Sequence, residues 1–437
     1  MASMIFEYKN AFHSFNRNVR LMMVYYAMNS LANGIAAVLL NLYFLKLGLD
    51  ENFLGSMVFV QSLGLGLAVL PFGMLADRYP KHTLVKVSWF LMNLLFTGIL
   101  VASDPRLLIA FQAVQTIGIA MAVGSELSYL TENVPPAART HLFSFNMALF
   151  TGIPAVGMAV AGYLPKLFGT LTRTSPEGAL SYRLSMFLAL ALFWLSGFAV
   201  LGLRKSPAME TQRARSFSLK FSRPGAVLGL SLNHCFVALA ASMFVPFMNV
   251  IMNQKYRLPA QTIGWLFTIQ SVAIAFGSLL VPKLARKRGK LAGAASLQML
   301  TLPAYLLLAL APNAGFFAVG YILRGMLANI PYPLIDSYTM EAVDAGERGT
   351  VNATLNLGRS VMWAVGGKIG GTFLKQKLFS LPILLATGSY SIAIGVFLVM
   401  LRIPQLRDAG ECVGVVPETA ETADAEASEP VDPEGIP

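Results

Sequence analysis

The chain has 437 residues, of which 55% are hydrophobic and only 13% are charged, and its mean hydropathy is +0.61. Charged residues make up about a quarter of an ordinary soluble domain, so this composition argues against a soluble globular protein. A formal net charge of +11 would indicate a nucleic-acid partner only with a folded basic face, and the sequence contains no such element.

About twelve apolar stretches follow one another along the chain, each long enough for the roughly 20 residues that a membrane-spanning helix needs. The stretches are continuous and do not alternate with polar residues, which favours helices over a β-barrel. We therefore predict an all-α integral membrane protein. Its spans are centred near residues 21–45, 53–75, 83–102, 106–130, 141–165, 182–203, 226–252, 261–284, 290–310, 314–340, 350–374 and 380–402.

The distribution of Lys and Arg predicts the orientation of these spans, because cytoplasmic loops carry an excess of both residues. With the N-terminus inside, about 21 of the 33 basic residues fall on the cytoplasmic side. The densest runs lie within 204–223 and 283–290. We expect a multi-pass protein of the plasma (inner) membrane with both termini in the cytoplasm. The N-terminus lacks the pattern of a cleaved signal peptide.

The order of apolar and polar segments predicts four regions. Residues 1–203 form an N-terminal six-helix bundle, 204–224 a cytoplasmic linker, 225–404 a C-terminal six-helix bundle, and 405–437 a disordered acidic cytoplasmic tail. Cys235 and Cys412 are too few for a disulfide framework. We expect a monomer without metal or cofactor.

The chain repeats itself at a spacing of 209 residues. Ser128-Tyr129-x-x-Glu132-x6-Arg139 in the first half corresponds to Ser337-Tyr338-x-x-Glu341-x6-Arg348 in the second. A constant offset in so apolar a chain indicates two structurally equivalent halves, an arrangement common among solute transporters. The same offset relates Gly55 to Gly264, Gln61-Ser62 to Gln270-Ser271, Leu75-Ala76 to Leu284-Ala285, Lys81 to Lys290, Gly157 to Gly366, Gly162 to Gly371 and Lys166 to Lys375.

The loop after the second span reads Gly73-Met-Leu-Ala-Asp77-Arg78-Tyr-Pro-Lys81-His82. It resembles the G-x-L-A-D-R-x-G-R-K loop of the major facilitator superfamily, and the resemblance covers roughly residues 15–404. It implies two six-helix bundles related by a pseudo-two-fold axis, which rock around a central site. The loop departs from the family pattern at Pro80 and His82, and its second-half counterpart is degenerate.

The same resemblance implies a cytoplasmic gate. In the family the loop aspartate engages a neighbouring arginine or a helix N-terminus, so Asp77 and Arg139 are the candidate latch, and Gly73, Arg78 and Lys81 complete the gate. Gly73 would let two helices approach closely. The alternative is that Asp77 and Arg78 only fix topology. Helix four lacks the arginine of many proton-coupled members and has Gln112 and Gln115 instead, which weakens the case for proton coupling through that position.

Polar residues within the spans are the candidates for substrate binding and coupling, because a charge at mid-bilayer costs about 2.5–3.5 kcal/mol on insertion scales. Helical periodicity places several on faces directed toward a central cavity. The candidates are Tyr25, Asn29, Asn33, Gln115, Glu126, His234, Arg324, Asp336, Asn356 and Arg359.

Each candidate has two interpretations. Arg324 and Arg359 bind an anionic or carbonyl-bearing solute, or they pair internally with Glu126 or Asp336. Glu126 is a protonatable coupling site or part of a fixed salt bridge. His234 is a hydrogen-bonded histidine within its helix or a proton relay. The Asn residues along one face of helix one make contacts between helices or contacts with the substrate. For Lys368, outside this set of candidates, we expect a side chain that extends to the outer surface.

These features together predict a secondary active transporter that moves a small organic solute by alternating access. We expect proton coupling and slightly favour efflux of an amphipathic compound. The alternatives are uptake of an anionic nutrient, a lipid flippase or scramblase on the same scaffold, and a non-transporting membrane sensor. The sequence contains no Walker-type phosphate loop, so neither an ATP-driven pump nor another enzyme is indicated.

Overall fold

The computed structural model describes residues 15–135, 138–206, 221–278, 289–344 and 346–404. Most of the predicted linker and the whole predicted tail, with Cys412, lie outside this part of the chain. The domain boundaries therefore stay predictions. Cys235 is a free cysteine.

Six membrane spans form the first half of the molecule. Polar side chains cap the starts of three of these helices; for example, Asp50 accepts from the Phe53 N–H and Asp104 from the Arg106 N–H. The helices are α1 (Arg17–Lys46), α2 (Glu51–Arg78), α3 (Lys81–Val101), α4 (Pro105–Glu132), α5 (Arg139–Ala161), α6 (Leu164–Leu171), α7 (Ala179–Leu195) and α8 (Gly197–Leu201).

The second half repeats this arrangement, and its spans seven and ten are each broken into two helices. Its helices are α9 (Pro224–Ser242), α10 (Met248–Tyr256), α11 (Ala260–Ser278), α12 (Lys290–Leu310), α13 (Ala314–Asn329), α14 (Pro331–Ala342), α15 (Arg348–Lys375) and α16 (Leu381–Arg402). Span ten is broken at a proline, because α13 ends at Asn329 and α14 begins at Pro331, which cannot donate the backbone bond that would continue the helix. Span seven also breaks, between α9 and α10 at a 3₁₀ turn that contains Pro246, which the sequence analysis did not predict.

The prediction of an all-helical membrane protein is confirmed. In the described ranges, eleven helical segments are long and apolar enough to cross a membrane. The one predicted span missing from these eleven is the eleventh in chain order, α15, whose 28 residues are long enough but too polar. Asn352, Asn356 and Arg359 lower its hydropathy, and all three line a cavity. A helix that faces water on one side need not be apolar all round.

The two halves meet at one end of the molecule and separate toward the other. We call the ends outer and inner, following the predicted orientation. A large hydrophobic core at the outer end combines residues of both halves, for example Tyr43 and Phe53 with Phe244 and Phe247. Toward the inner end each half has its own core, one around Tyr129 and one around Tyr338. The described chain is therefore closed at the outer end and open at the inner end.

Candidate transport site and gate contacts

The broken helix ten and the polar face of α15 create a cavity in the C-terminal half. Its volume is about 280 Å³, and it is lined by His234, Tyr332, Asp336, Thr339, Met340, Asn352, Leu355, Asn356 and Arg359. Four of the ten predicted binding or coupling residues thus lie around one space: His234, Asp336, Asn356 and Arg359. Asn352, Tyr332 and Thr339 are additional polar lining residues. Tyr332 and Thr339 carried no charge or amide signal that would have identified them from sequence.

Charges of both signs line this cavity, and no ion pair joins them in the described chain. The Arg359 Nη2 donates to the Asn356 Oδ1 at 2.9 Å, and the side chains of both Arg359 and Asp336 are exposed. None of the ion pairs among the described residues joins either arginine candidate to Glu126 or Asp336. The internal pairing considered from sequence is therefore absent from the described chain.

Glu126 forms a separate polar cluster in the N-terminal half. The Tyr25 hydroxyl donates to the Glu126 Oε1 at 2.8 Å, and Tyr26 also interacts with this carboxylate. Tyr25 is buried and Glu126 half-buried. The described residues provide Glu126 with no cation within ion-pair distance, so the fixed salt bridge is not what the structure contains.

Arg324 lies in a different place from the one expected. It is only 7% exposed and sits inside the C-terminal bundle. Its Nη2 donates to the Tyr305 hydroxyl at 3.0 Å, and the guanidinium lies 5.0 Å and 5.1 Å from the ring centroids of Phe244 and Tyr305. The aromatic rings of this pocket draw the cation away from the central space, because a ring face attracts a desolvated guanidinium.

Gln115, the repeat mate of Arg324, also points into its own half. Its Nε2 donates to the Met92 carbonyl at 3.2 Å, so it joins α4 to α3. On α1, the Asn33 Nδ2 donates to the Asn29 Oδ1 at 2.6 Å and to its carbonyl at 2.9 Å. These amides bond to each other and Asn33 is exposed, which leaves both interpretations of the Asn stripe open.

The predicted cytoplasmic gate is only partly described. The Asp77 side chain lies outside the described residues, so its pairing with Arg139 stays a prediction. Arg78 is exposed, and the Arg139 Nη2 donates to the Thr131 carbonyl at 3.4 Å. The backbone of Gly73 packs against Gly124, where an added Cβ would lie 3.3 Å from the Gly73 Cα. A Cβ on Gly73 itself would meet open space, so the close approach depends on Gly124.

Lys81 has a partner within its own half, and the repeat reproduces the pair. Lys81 forms an ion pair with Glu132, and Lys290 forms one with Glu341. Both residues of the second pair are offset by 209 from those of the first. The duplicated sequence thus builds a duplicated contact, which ties the loop after the second span of each half to the inner end of its fourth span.

The closed outer end is held by a ladder of polar contacts between α2 and α15, which run in opposite directions. Lys368 donates to the Ser56 hydroxyl at 2.7 Å, and the Thr372 hydroxyl to the Asn52 Oδ1 at 3.3 Å. Two ion pairs complete it: Lys375 with Asp50 at 2.8 Å and Lys377 with Glu51 at 2.7 Å. The expectation that Lys368 extends to the outer surface was wrong, because it bonds across the seam between the halves.

Glycines let the helices of this seam touch. A Cβ on Gly371 would lie 2.5 Å from the Glu51 carbonyl oxygen and 2.8 Å from the Gly55 Cα. The other seam, between α5 and α11, has the same construction: a Cβ on Gly264 would lie 2.4 Å from the Met158 carbonyl oxygen. The sequence had shown these glycines as repeat positions but not as contacts between the halves.

A third outer contact joins α1 to the broken span seven. The Asn41 Nδ2 donates to the Pro246 carbonyl at 2.6 Å, which the helix break leaves free, and the Asn249 Nδ2 donates to the Val38 carbonyl at 2.9 Å. Side-chain amides thereby satisfy backbone groups that lipid could not.

The geometry is that of a membrane transporter with two equivalent bundles, which meet at the outer end and separate toward the inner end, with a polar cavity in the C-terminal bundle. The sequence profile of the Major Facilitator Superfamily matches residues 22–367, so the chain belongs to this superfamily. It is a transporter and not an enzyme.

Solved structures show the same fold at low sequence identity. A bacterial homologue of the human lysosomal transporter Spinster, in an inward-facing and occupied conformation, has a TM-score of 0.73 at 16% identity, covering 88% of this chain and 96% of that chain. The nucleoside transporter NupG has 0.69 at 13%, covering 89% and 99%. A bacterial homologue of the iron transporter ferroportin, inward-facing, has 0.66 at 14%, covering 88% and 98%. No curated protein sequence matches the chain.

Proposed function

We propose that this transporter moves a small polar solute by alternating access and couples the movement to protons at Glu126. We propose that it acts as a monomer in the plasma membrane. Both ends of the chain lie in the cytoplasm in this proposal, an orientation that the distribution of Lys and Arg supports. The closed outer seams and separate inner cores support alternating access, since the other state requires these seams to part.

The cluster of Tyr25 and Glu126 carries the proposal of proton coupling. Glu126 is half-buried, lacks a cation partner in the described chain and accepts from the Tyr25 hydroxyl at 2.8 Å. A carboxylate in this environment can exist in either protonation state. As a carboxylate it accepts this bond, and as an acid it can donate one. A proton gradient of one pH unit supplies about 1.4 kcal/mol per proton, which is enough to drive a roughly tenfold accumulation.

The cavity lining supports a polar solute over the amphipathic compound favoured from sequence. An arginine, an aspartate, a histidine and two asparagines surround a space of about 280 Å³, whereas amphipathic ligands bury most of their surface against apolar and aromatic side chains. Efflux and uptake both fit this cavity.

Transport by reconstituted protein tests the role of Glu126. The solute would be a compound that stabilises the purified protein in a thermal-shift screen of metabolites. Glu126→Gln keeps the shape of the side chain but cannot bind a proton, so we expect it to lose accumulation driven by a pH gradient while it retains solute counterflow. Glu177→Gln, which removes an exposed carboxylate paired with Lys46, is the matched control. Full pH-driven accumulation by Glu126→Gln would remove this residue from the mechanism.

A further inference from the structure

The polar cavity of the C-terminal half contains one cation and one anion that do not pair. Within the described ranges, Arg359 on α15 bonds only to the neutral amide of Asn356, one turn away on the same helix. Asp336 on α14 is exposed and has no hydrogen-bonding or ion-pair partner within the described chain. Both residues line the same space of about 280 Å³, and no hydrogen bond or ion pair among the described residues joins them.

The unpaired charges of Arg359 and Asp336 become unfavourable when the cavity closes. Alternating access requires the halves to close around the solute from the inner side, and closure removes the water that solvates both groups. A buried charge that loses its solvent without gaining a partner is strongly destabilised. The occluded state therefore favours a solute that supplies a partner for each charge.

The sign of the lining charges selects among solutes. A solute with only a carboxylate would pair with Arg359 but bring a second negative charge next to Asp336. A solute with only an amine would meet the opposite problem at Arg359. A solute with both groups satisfies both residues at once, while Asn352, Thr339 and His234 remain available for its uncharged polar atoms.

We propose that the solute is a small zwitterion whose anionic group binds Arg359 and whose cationic group binds Asp336. This proposal rests on the proposed transport function but not on its proton coupling. The cavity volume lies just below the range usual for drug-sized ligands, which fits a solute of about amino-acid size.

Equilibrium binding to the purified, full-length protein tests the proposal at constant pH. The probes are the proteinogenic L-amino acids and the ω-amino acids of three to six carbons. Each is compared with the carboxylate that lacks its amine and with the amine that lacks its carboxylate. We expect at least one zwitterion to raise the melting temperature, and its two singly charged counterparts to bind at least tenfold more weakly.

Variants of the two charged residues locate the binding. We expect Arg359→Gln and Asp336→Asn each to weaken binding of that zwitterion at least tenfold, and Arg359→Lys to weaken it less than Arg359→Gln. Arg402→Gln and Asp344→Asn remove exposed charges of the same half outside the cavity and should bind as the wild type does. Elution volume and circular dichroism confirm that each variant is folded.

Three results would overturn the zwitterion proposal. They are a panel in which no zwitterion binds, neutral or singly charged compounds that bind as tightly as the zwitterion, and unaltered binding by folded Arg359→Gln and Asp336→Asn. Because no gradient is present, the absence of proton coupling would leave all these affinities unchanged. The two proposals therefore fail separately.

Discussion

Replacement of Gly371 by alanine should open the outer end of the transporter. The added Cβ would lie 2.5 Å from the Glu51 carbonyl oxygen and 2.8 Å from the Gly55 Cα, whereas ordinary contact begins at 3.4 Å. Both neighbours are backbone atoms, which cannot rotate away as a side chain can. The seam between α2 and α15 must therefore widen by roughly 0.9 Å, and this widening also stretches the ion pairs at its outer end.

The size of the effect follows from the cost of overpacking, typically about 1–3 kcal/mol. The cost applies only while the seam is closed, because in the outward-open state the two helices are apart. The higher helix propensity of alanine acts equally in both states and cancels. We therefore expect the ratio of outward-closed to outward-open protein to fall by about 5- to 150-fold.

Distances between spin labels at the outer ends of the two halves measure this ratio. The labels are placed at Arg106→Cys and Pro312→Cys, both exposed positions, with Cys235 and Cys412 changed to serine. We expect Gly371→Ala to add a population at longer distance. Gly388→Ala is the control, since a Cβ there would meet no atom within 4 Å. A distance distribution of Gly371→Ala that equals the control would refute the close packing of this seam.

Two further predictions concern ionised groups. Burial acts to raise the pKa of Asp50, but the hydrogen bond and charge of Lys375 and the Phe53 N–H outweigh burial and hold the pKa below its ordinary value. The ionised Asp50 therefore stabilises the closed outer end above pH ~4, and this contribution is lost as the pH falls through the lowered pKa. In the wild type, the spin-label distance should lengthen in acid. Asp50→Asn lacks the stabilisation by an ionised carboxylate at every pH, so it should also lack this lengthening. Arg324→Met should leave solute binding unchanged and the melting temperature equal or higher, because it removes a buried charge that has no acidic partner in the described chain. A loss of 3–5 kcal/mol in unfolding free energy would reveal such a partner.

The sequence predicts the number and position of the spans because lipid leaves the backbone few alternatives. A segment in hydrocarbon must be a continuous apolar helix, so runs of about 20 residues identify it without any knowledge of packing. The exception is α15, which departs from this composition where Asn352, Asn356 and Arg359 face the cavity. The bend at Pro331 was likewise predictable, since proline removes a backbone donor within the helix.

The rotation of each helix is not predictable in the same way. Periodicity predicts which residues share a face of α13 with Arg324, but packing decides which neighbour that face meets. The face points to Tyr305 and Phe244 inside the bundle, where sequence reasoning expected the central space. His234, Asp336 and Arg359 do share a cavity because the break at Pro331 and the polar face of α15 leave a space between them.

The repeat explains why the outer end closes symmetrically in shape but not in charge. The offset of 209 relates Gly55 on α2 to Gly264 on α11, and Gly162 on α5 to Gly371 on α15. The seams pair these glycines crosswise, Gly55 with Gly371 and Gly162 with Gly264, so one backbone contact occurs twice. At the second seam a Thr268 hydroxyl donates to the Ala155 carbonyl, and among the described residues no ion pair crosses it.

Among the described residues, only the seam between α2 and α15 has lysine contacts between the halves. Because the close backbone contacts of both seams lie at glycines, we expect changes in Lys375 or Lys377 to alter the stability of the closed outer end more than the spacing of its helices. The charged contacts that one seam has and the other lacks therefore offer a means of setting the conformational equilibrium separately from the glycine packing that both seams share.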